Sequence, residues 1–231
     1  MTFSNSNGQQ NFFETYPDAL TNVNAAYDQC NEIKLYSTKP HISRFIFSIA
    51  APEVSIYNEF MDKMESAAAE VFYINLGEPY GNFSLGLFQM KPSFIEKLEK
   101  DINSKCPECK YQKALLYDCT TATEQRATRI ARLKDHHWQE IYLISFYELM
   151  EKRYGAHSFK SLSEQLEFYA TAYNFGFDRL RKEIISRQSK HSFPGRFSSV
   201  QFAYAQISIQ IFEKLSIGES EHLSRSVIID P

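Results

Sequence analysis

The sequence predicts a mainly α-helical protein built around one buried helix. Three observations carry this expectation. Apolar residues recur at three- or four-residue intervals over several stretches of the chain. Two stretches open on a capping box, Thr121 with Glu124 and Ser161 with Glu164. A third, residues 141–150, is apolar on nearly every side, which suits a helix enclosed by its neighbours. No internal repeat, low-complexity tract or convincing hairpin accompanies them.

Taken in order, residues 1–40 read as an N-terminal arm with one helix over 19–33. Residues 41–217 read as the main domain and 218–231 as a C-terminal tail. The domain begins with a strongly apolar run (Ile42, Phe45, Ile46, Phe47, Ile49) that meets Pro52 and Glu53. Residues 54–76 read as one long helix, with Ile56, Phe60, Met64, Ala67, Val71 and Ile74 as its apolar stripe. Gly77, Pro79 and Gly81 mark a loop. A short helix over 93–102 and a loop over 105–110 follow. The Thr121 box opens a helix to about Lys134. Asp135 caps the next, over 136–154, which Gly155 ends. The Ser161 box opens a helix to about Asn174, and 178–187 forms another. Residues 189–197 are a Ser, Gly and Pro loop before a last long helix over 198–215.

Composition bounds the function. The 231 residues include 43% hydrophobic side chains, enough to bury a sizeable core. Fourteen Tyr and 19 Phe make the chain unusually rich in aromatics; some are core, and a Tyr excess also suits a polar cleft that stacks rings and hydrogen-bonds at once. The net charge of −3 carries no electrostatic footprint for nucleic acid. Arg126, Arg129 and Arg132, three residues apart and followed by Lys134, read as a solvated helix face, with a site for an anionic polymer as the alternative. No apolar run reaches the ~18 residues of a membrane span. The first ten residues lack the apolar segment of a secretory signal.

Metal and nucleophile chemistry find little support. Cys106 and Cys109 form a CxxC, but a second pair is missing, and only Cys30 and Cys119 remain to complete a zinc site. A local disulfide or plain thiols is the reading. His136 and His137 are adjacent, so they point about 100° apart on a helix and chelate poorly together. Glu140, not a second His, stands four residues after His136. The cluster reads as a helix start with Trp138 packed. No nucleophile elbow and no phosphate loop is present. No cofactor is expected.

The segment from Gly81 to Pro92 is the most informative. It sets two glycines, Ser84, Gln89 and Pro92 into an otherwise apolar run. A core helix has little use for that mixture. A cleft wall does: Gly lets backbone approach a ligand, and Gln offers both a donor and an acceptor to a sugar. Upstream, Glu53 follows an apolar helical run directly. Such a carboxyl is partly desolvated, which raises its pKa and suits a general acid. Downstream, Tyr173 and Asn174 stand at the end of an amphipathic helix, and Gly176 permits reversal.

Together the three segments resemble the catalytic domain of lytic transglycosylases and goose-type lysozymes. That superfamily shows an apolar helix ending in a catalytic Glu, then S-x-G-L-x-Q-x-x-P, then Y-N-x-G on a later helix. Ser84-Leu85-Gly86-Leu87-Phe88-Gln89-Met90-Lys91-Pro92 and Ala172-Tyr173-Asn174-Phe175-Gly176 are similar to the second and third. Residues 197–212, with Tyr204-Ala205-Gln206-Ile207, are similar to a closing helix. The stretches around Pro52-Glu53 and 83–94 resemble an envelope-associated branch found in Bacteroidetes-type bacteria.

The resemblance implies a lysozyme-like fold, peptidoglycan glycan strands as partner and the cell envelope as location. It implies that Glu53 protonates the bond between N-acetylmuramic acid and N-acetylglucosamine, and that Tyr173 hydrogen-bonds and orients Glu53. Ser84, Gln89 and Asn174 hold the sugar, Gly86 lets backbone pass close to the glycan, and Met90 lines the floor. Val54 stands where the family has Ser or Thr, and Pro52 is unusual there. Glu78, in the loop before the motif, is the rival acid. Hydrolysis would need a second carboxylate, for which Glu59, Asp62 and Glu78 are the candidates. A glycan-binding module without turnover and a helical adaptor are the remaining alternatives.

Overall fold

The computed structural model describes residues 11–194 and 198–226, and for Ala156 and residues 218–226 the backbone only. The chain is mainly helical. In order it runs α1 (Phe12–Thr15), α2 (Ala19–Gln29), α3 (Asn31–Tyr36), α4 (Pro40–Ser55), α5 (Glu59–Leu76), α6 (Pro92–Lys105), α7 (Ala122–Lys134), α8 (His136–Arg153), α9 (Leu162–Phe175) and α10 (Arg181–Arg187). A two-stranded antiparallel ribbon follows, β1 (His191–Phe193) with β2 (Phe202–Ala203), and then α11 (Tyr204–Ser226). Short 3-10 turns lie at Glu78–Tyr80 and Ala156–Ser158.

Two helices form the centre. Residues 45–51 of α4 are all buried, and α4 packs on α2, α9 and α11. Residues 139–146 of α8 are also all buried, with α3, α4, α6 and α7 around it. This is the enclosed helix that its all-round apolar sequence predicts. Asp135 caps it, accepting from the Trp138 N–H at 3.0 Å. At α7 the Thr121 box closes reciprocally. At α9 only half of the box forms: Ser161 accepts from the Glu164 N–H, while Glu164 turns to the Lys160 N–H.

Several expectations need correcting. The helix expected over 19–33 breaks at Cys30 into α2 and α3. Both dock into the core, burying Val23, Ala26, Tyr27, Cys30 and Ile33. The long helix expected over 54–76 is the end of α4 and a separate α5. Asn58 restarts the chain by accepting from the Met61 N–H at 3.1 Å.

The face of α5 is also reversed. Ser66, Ala69 and Tyr73 point inward, while Phe60, Met64 and Val71 are exposed. Small residues allow α5 to lie close to α7, and a Cβ on Gly81 would meet the Tyr73 backbone nitrogen at 2.3 Å.

The arginine row of α7 is not a solvated face, because Arg129 and Arg132 are buried. Arg129 grips Glu99 of α6 with two bonds, at 3.0 and 2.7 Å, and donates to the Tyr73 hydroxyl of α5. The hydroxyls of Tyr117 and Tyr142 also donate to Glu99. Arg132 donates to the carbonyls of Ala114, Leu115 and Leu116 and stacks 4.1 Å over Trp138. Their targets are a buried carboxylate and orphan carbonyls, which spacing alone does not reveal.

The loop expected over 189–197 contains β1, and α11 starts at Tyr204 rather than near 198. α11 also continues through Ser226, into the expected tail. The expectations for residues 1–10, 195–197 and 227–231 lie outside the described residues. Among the described residues no helix is long and apolar enough to cross a membrane.

Candidate active site

The wall is a tight reversal. Leu85 and Met90 pair through two backbone bonds of 3.0 Å, and the Gln89 N–H donates to the Gly86 carbonyl at 2.9 Å. Closing so short a loop requires left-handed backbone at Gly86 (φ 69°) and Gln89 (φ 50°). Phe88 is held from both sides. Its N–H donates to Gln139 at 2.9 Å, and its carbonyl accepts from the Tyr173 hydroxyl at 2.6 Å. Its ring is buried against Phe47 and His136. Both ends of the buried Gln139 are engaged, since its Nε2 donates to the Leu133 carbonyl.

Glu53 faces this wall from the last turn of α4. Pro52 before it ends no helix. The helix carries on through it to Ser55, whose hydroxyl donates to the Pro52 carbonyl at 2.6 Å. Burial pushes the Glu53 carboxyl up to about 8, against the lowering pull of the Lys91 charge and of a hydrogen bond from the Asn174 amide. At neutral pH it therefore holds its proton.

A cavity of about 600 Å³ opens between these elements. Glu53, Ser84, Gln89, Met90, Tyr173 and Asn174 all line it, so six of the ten candidate site residues named from the sequence converge. Phe94, Phe175 and Phe193 add aromatic side chains, and Lys91 and Arg179 add positive charge.

The structure assigns some of these groups differently. The Tyr173 hydroxyl donates to Phe88, not to Glu53, and so braces the wall. Gly86 does not line the cavity. A Cβ there would meet the Gln139 side chain at 1.6 Å, so its smallness serves the protein interior rather than a ligand. One Gln89 amide bond is spent on the Gly86 carbonyl. Glu78 also lies outside the cavity, exposed, accepting from Asn82. Glu59 is exposed and paired with Lys63 at 2.7 Å. Asp62 is occupied by the Gly86 N–H and the Tyr57 hydroxyl.

Sequence reasoning missed two residues. Asp178 lines the cavity and pairs with Lys97 at 2.9 Å. Burial acts to raise its carboxyl, but the Lys97 bond and charge hold it below the usual range. Tyr204, the first residue of α11, is buried within electrostatic reach of Glu53 and Tyr173. Its hydroxyl has no hydrogen-bond partner among the described residues. Asp178 stands just beyond the Y-N-x-G segment, where an acidic residue carries no special pattern. Tyr204 had a signal, as the one polar-tipped aromatic at the head of the closing helix.

No family model, no curated protein and no solved structure matches this chain.

Proposed function

We propose that this protein cleaves the glycan strands of peptidoglycan in the cell envelope, as a lytic transglycosylase with Glu53 as its acid and base. One observation carries the reading. A carboxyl kept protonated up to a pH of about 8 stands in a polar, ring-lined cavity beside an amide, a hydroxyl and the Gln89 wall. The positive side chains Lys91 and Arg179 favour a glycan carrying carboxylates, as muramic acid and its peptides do.

In this mechanism Glu53 gives its proton to the glycosidic oxygen between N-acetylmuramic acid and N-acetylglucosamine, and the bond to the muramoyl C1 breaks. The Glu53 carboxylate then takes the proton of the muramoyl 6-hydroxyl as that oxygen attacks C1. The product is a 1,6-anhydro sugar, and Glu53 ends protonated. Asn174 orients the carboxyl, Ser84 and Gln89 hold the sugar, and Met90 lines the floor. Tyr173 and Gln139 keep the wall rigid.

Asp178 favours a second reading, because the two carboxyls of the cavity have their pKa values pushed apart. A low-pKa Asp178 would activate water and make the protein a hydrolase. Its ion pair with Lys97 ranks this second. Muropeptide mass spectrometry after incubation with murein separates the readings. Anhydro products that survive Asp178→Asn and vanish in Glu53→Gln support the transglycosylase. Products one water heavier that need Asp178 indicate the hydrolase. Murein that binds but is not cut leaves only a binding module.

A further inference from the structure

Behind the cleft wall, on its protein side, three donors of different chemistry meet. Cys30 stands where α2 passes into α3, and His136 and Glu140 lie one turn apart on α8. Cys30 Sγ is 3.8 Å from His136 Nε2, and with a Glu140 carboxylate oxygen the three donor atoms all lie within 4.8 Å of one another. Cys30 and Glu140 are buried and His136 is half-buried. We propose that Cys30, His136 and Glu140 bind one zinc-class divalent ion, which ties the N-terminal helices to the central helix. The proposal is independent of the glycan reading.

The donor set favours it first. A thiolate, an imidazole and a carboxylate together suit zinc, and exclude calcium or magnesium, which take oxygen ligands. Geometry comes second. Bond lengths of about 2.0–2.3 Å put the donors of a tetrahedral zinc roughly 3.2–3.6 Å apart. The Cys30–His136 separation is already close to this. The rest requires closure of on the order of 1 Å, which side-chain torsions supply.

Orientation comes third. The Ile33 N–H donates to Glu140 Oε2 at 2.9 Å, which fixes the carboxylate. CxxC spacing pointed elsewhere: Cys106 and Cys109 are joined in a disulfide and offer no thiolate, while Cys119 is free but outside the cluster.

The test uses the full chain, stripped with a chelator and titrated with cobalt(II) as the probe. Thiolate ligation gives an intense sulfur-to-cobalt absorption band that saturates at one equivalent. Cys30→Ser should lose the band and Cys119→Ser should keep it. Should Cys30→Ser fail to fold, His136→Gln keeps the thiol and should weaken binding at least tenfold. Zinc should displace cobalt and raise the melting temperature by about 5–10 °C at a hundredfold excess over Kd. No band, a band that survives Cys30→Ser, cobalt affinity unchanged by His136→Gln, or a melting temperature indifferent to zinc overturns the proposal.

Discussion

Glu53 is a half-buried, desolvated carboxyl whose proton is worth free energy. Its pKa of about 8 in the folded protein exceeds its ordinary 4.5, so the folded state holds a proton that the unfolded state releases. The sign follows. The contribution is fully present below pH 4.5 and is lost as the pH rises to about 8. Glu53→Gln keeps the shape without the titration. The wild type should therefore lose roughly 3–5 kcal/mol relative to Glu53→Gln across that window, read from urea unfolding at several pH values. A constant difference would mean that Glu53 titrates normally. Tyr204 gives a second test at this scale. Its hydroxyl lacks a partner, so Tyr204→Phe should leave stability unchanged or slightly raised. If the hydroxyl meets Glu53 or the sugar during turnover, murein cleavage should fall at least about tenfold. Stability that drops with unchanged cleavage would assign Tyr204 a purely structural role.

At the scale of elements, the wall depends on a few backbone conformations and on Gln139 behind it. Gly86→Ala imposes both a positive φ and a clash with Gln139. It should cost about 2 kcal/mol or more in unfolding free energy. Ser84→Ala, on the open side of the wall, should cost little stability and should act on glycan affinity instead. Equal melting temperatures for wild type and Gly86→Ala would show that the wall is pliable. Helices with an explicit start were legible in the sequence. Thr121, Asp135 and Ser161 each cap where expected, because a cap is a local hydrogen bond written into neighbouring residues. The α5 face was not legible. Its apolar stripe lies outward, because inward positions had to be small, or to carry the Tyr73 hydroxyl into the Arg129 network. Periodicity reports a stripe but not which neighbours it meets.

Across the whole molecule, the cavity lies where α4, α9, the 81–92 wall and the ribbon strand β1 come together, and its residues are far apart in sequence. The convergence of Glu53, Gln89 and Tyr173 was legible because a carboxyl directly after an apolar run, a Gly- and Pro-rich wall and a Tyr-Asn pair at a helix end each put polar groups where a plain core would not. Asp178 and the Cys30–His136–Glu140 cluster were not, because their meaning comes from neighbours that only the fold supplies. The same holds for Glu99 and Arg129, which link α6 and α7 and through Tyr73 and Tyr142 reach α5 and α8. Arg129→Ala would leave Glu99 buried without its main partner and should cost about 3–5 kcal/mol by denaturant unfolding. A loss below 1 kcal/mol would restore the solvated-face reading.

The most direct test of Glu53 as the acid is the rate of muropeptide release from murein, followed from pH 5 to 10 for the wild type and for Glu53→Gln. A protonated Glu53 at work predicts release that falls about tenfold per pH unit above a pKa near 8, and no release from Glu53→Gln. Absence of release from the wild type, or equal release from Glu53→Gln, would contradict it.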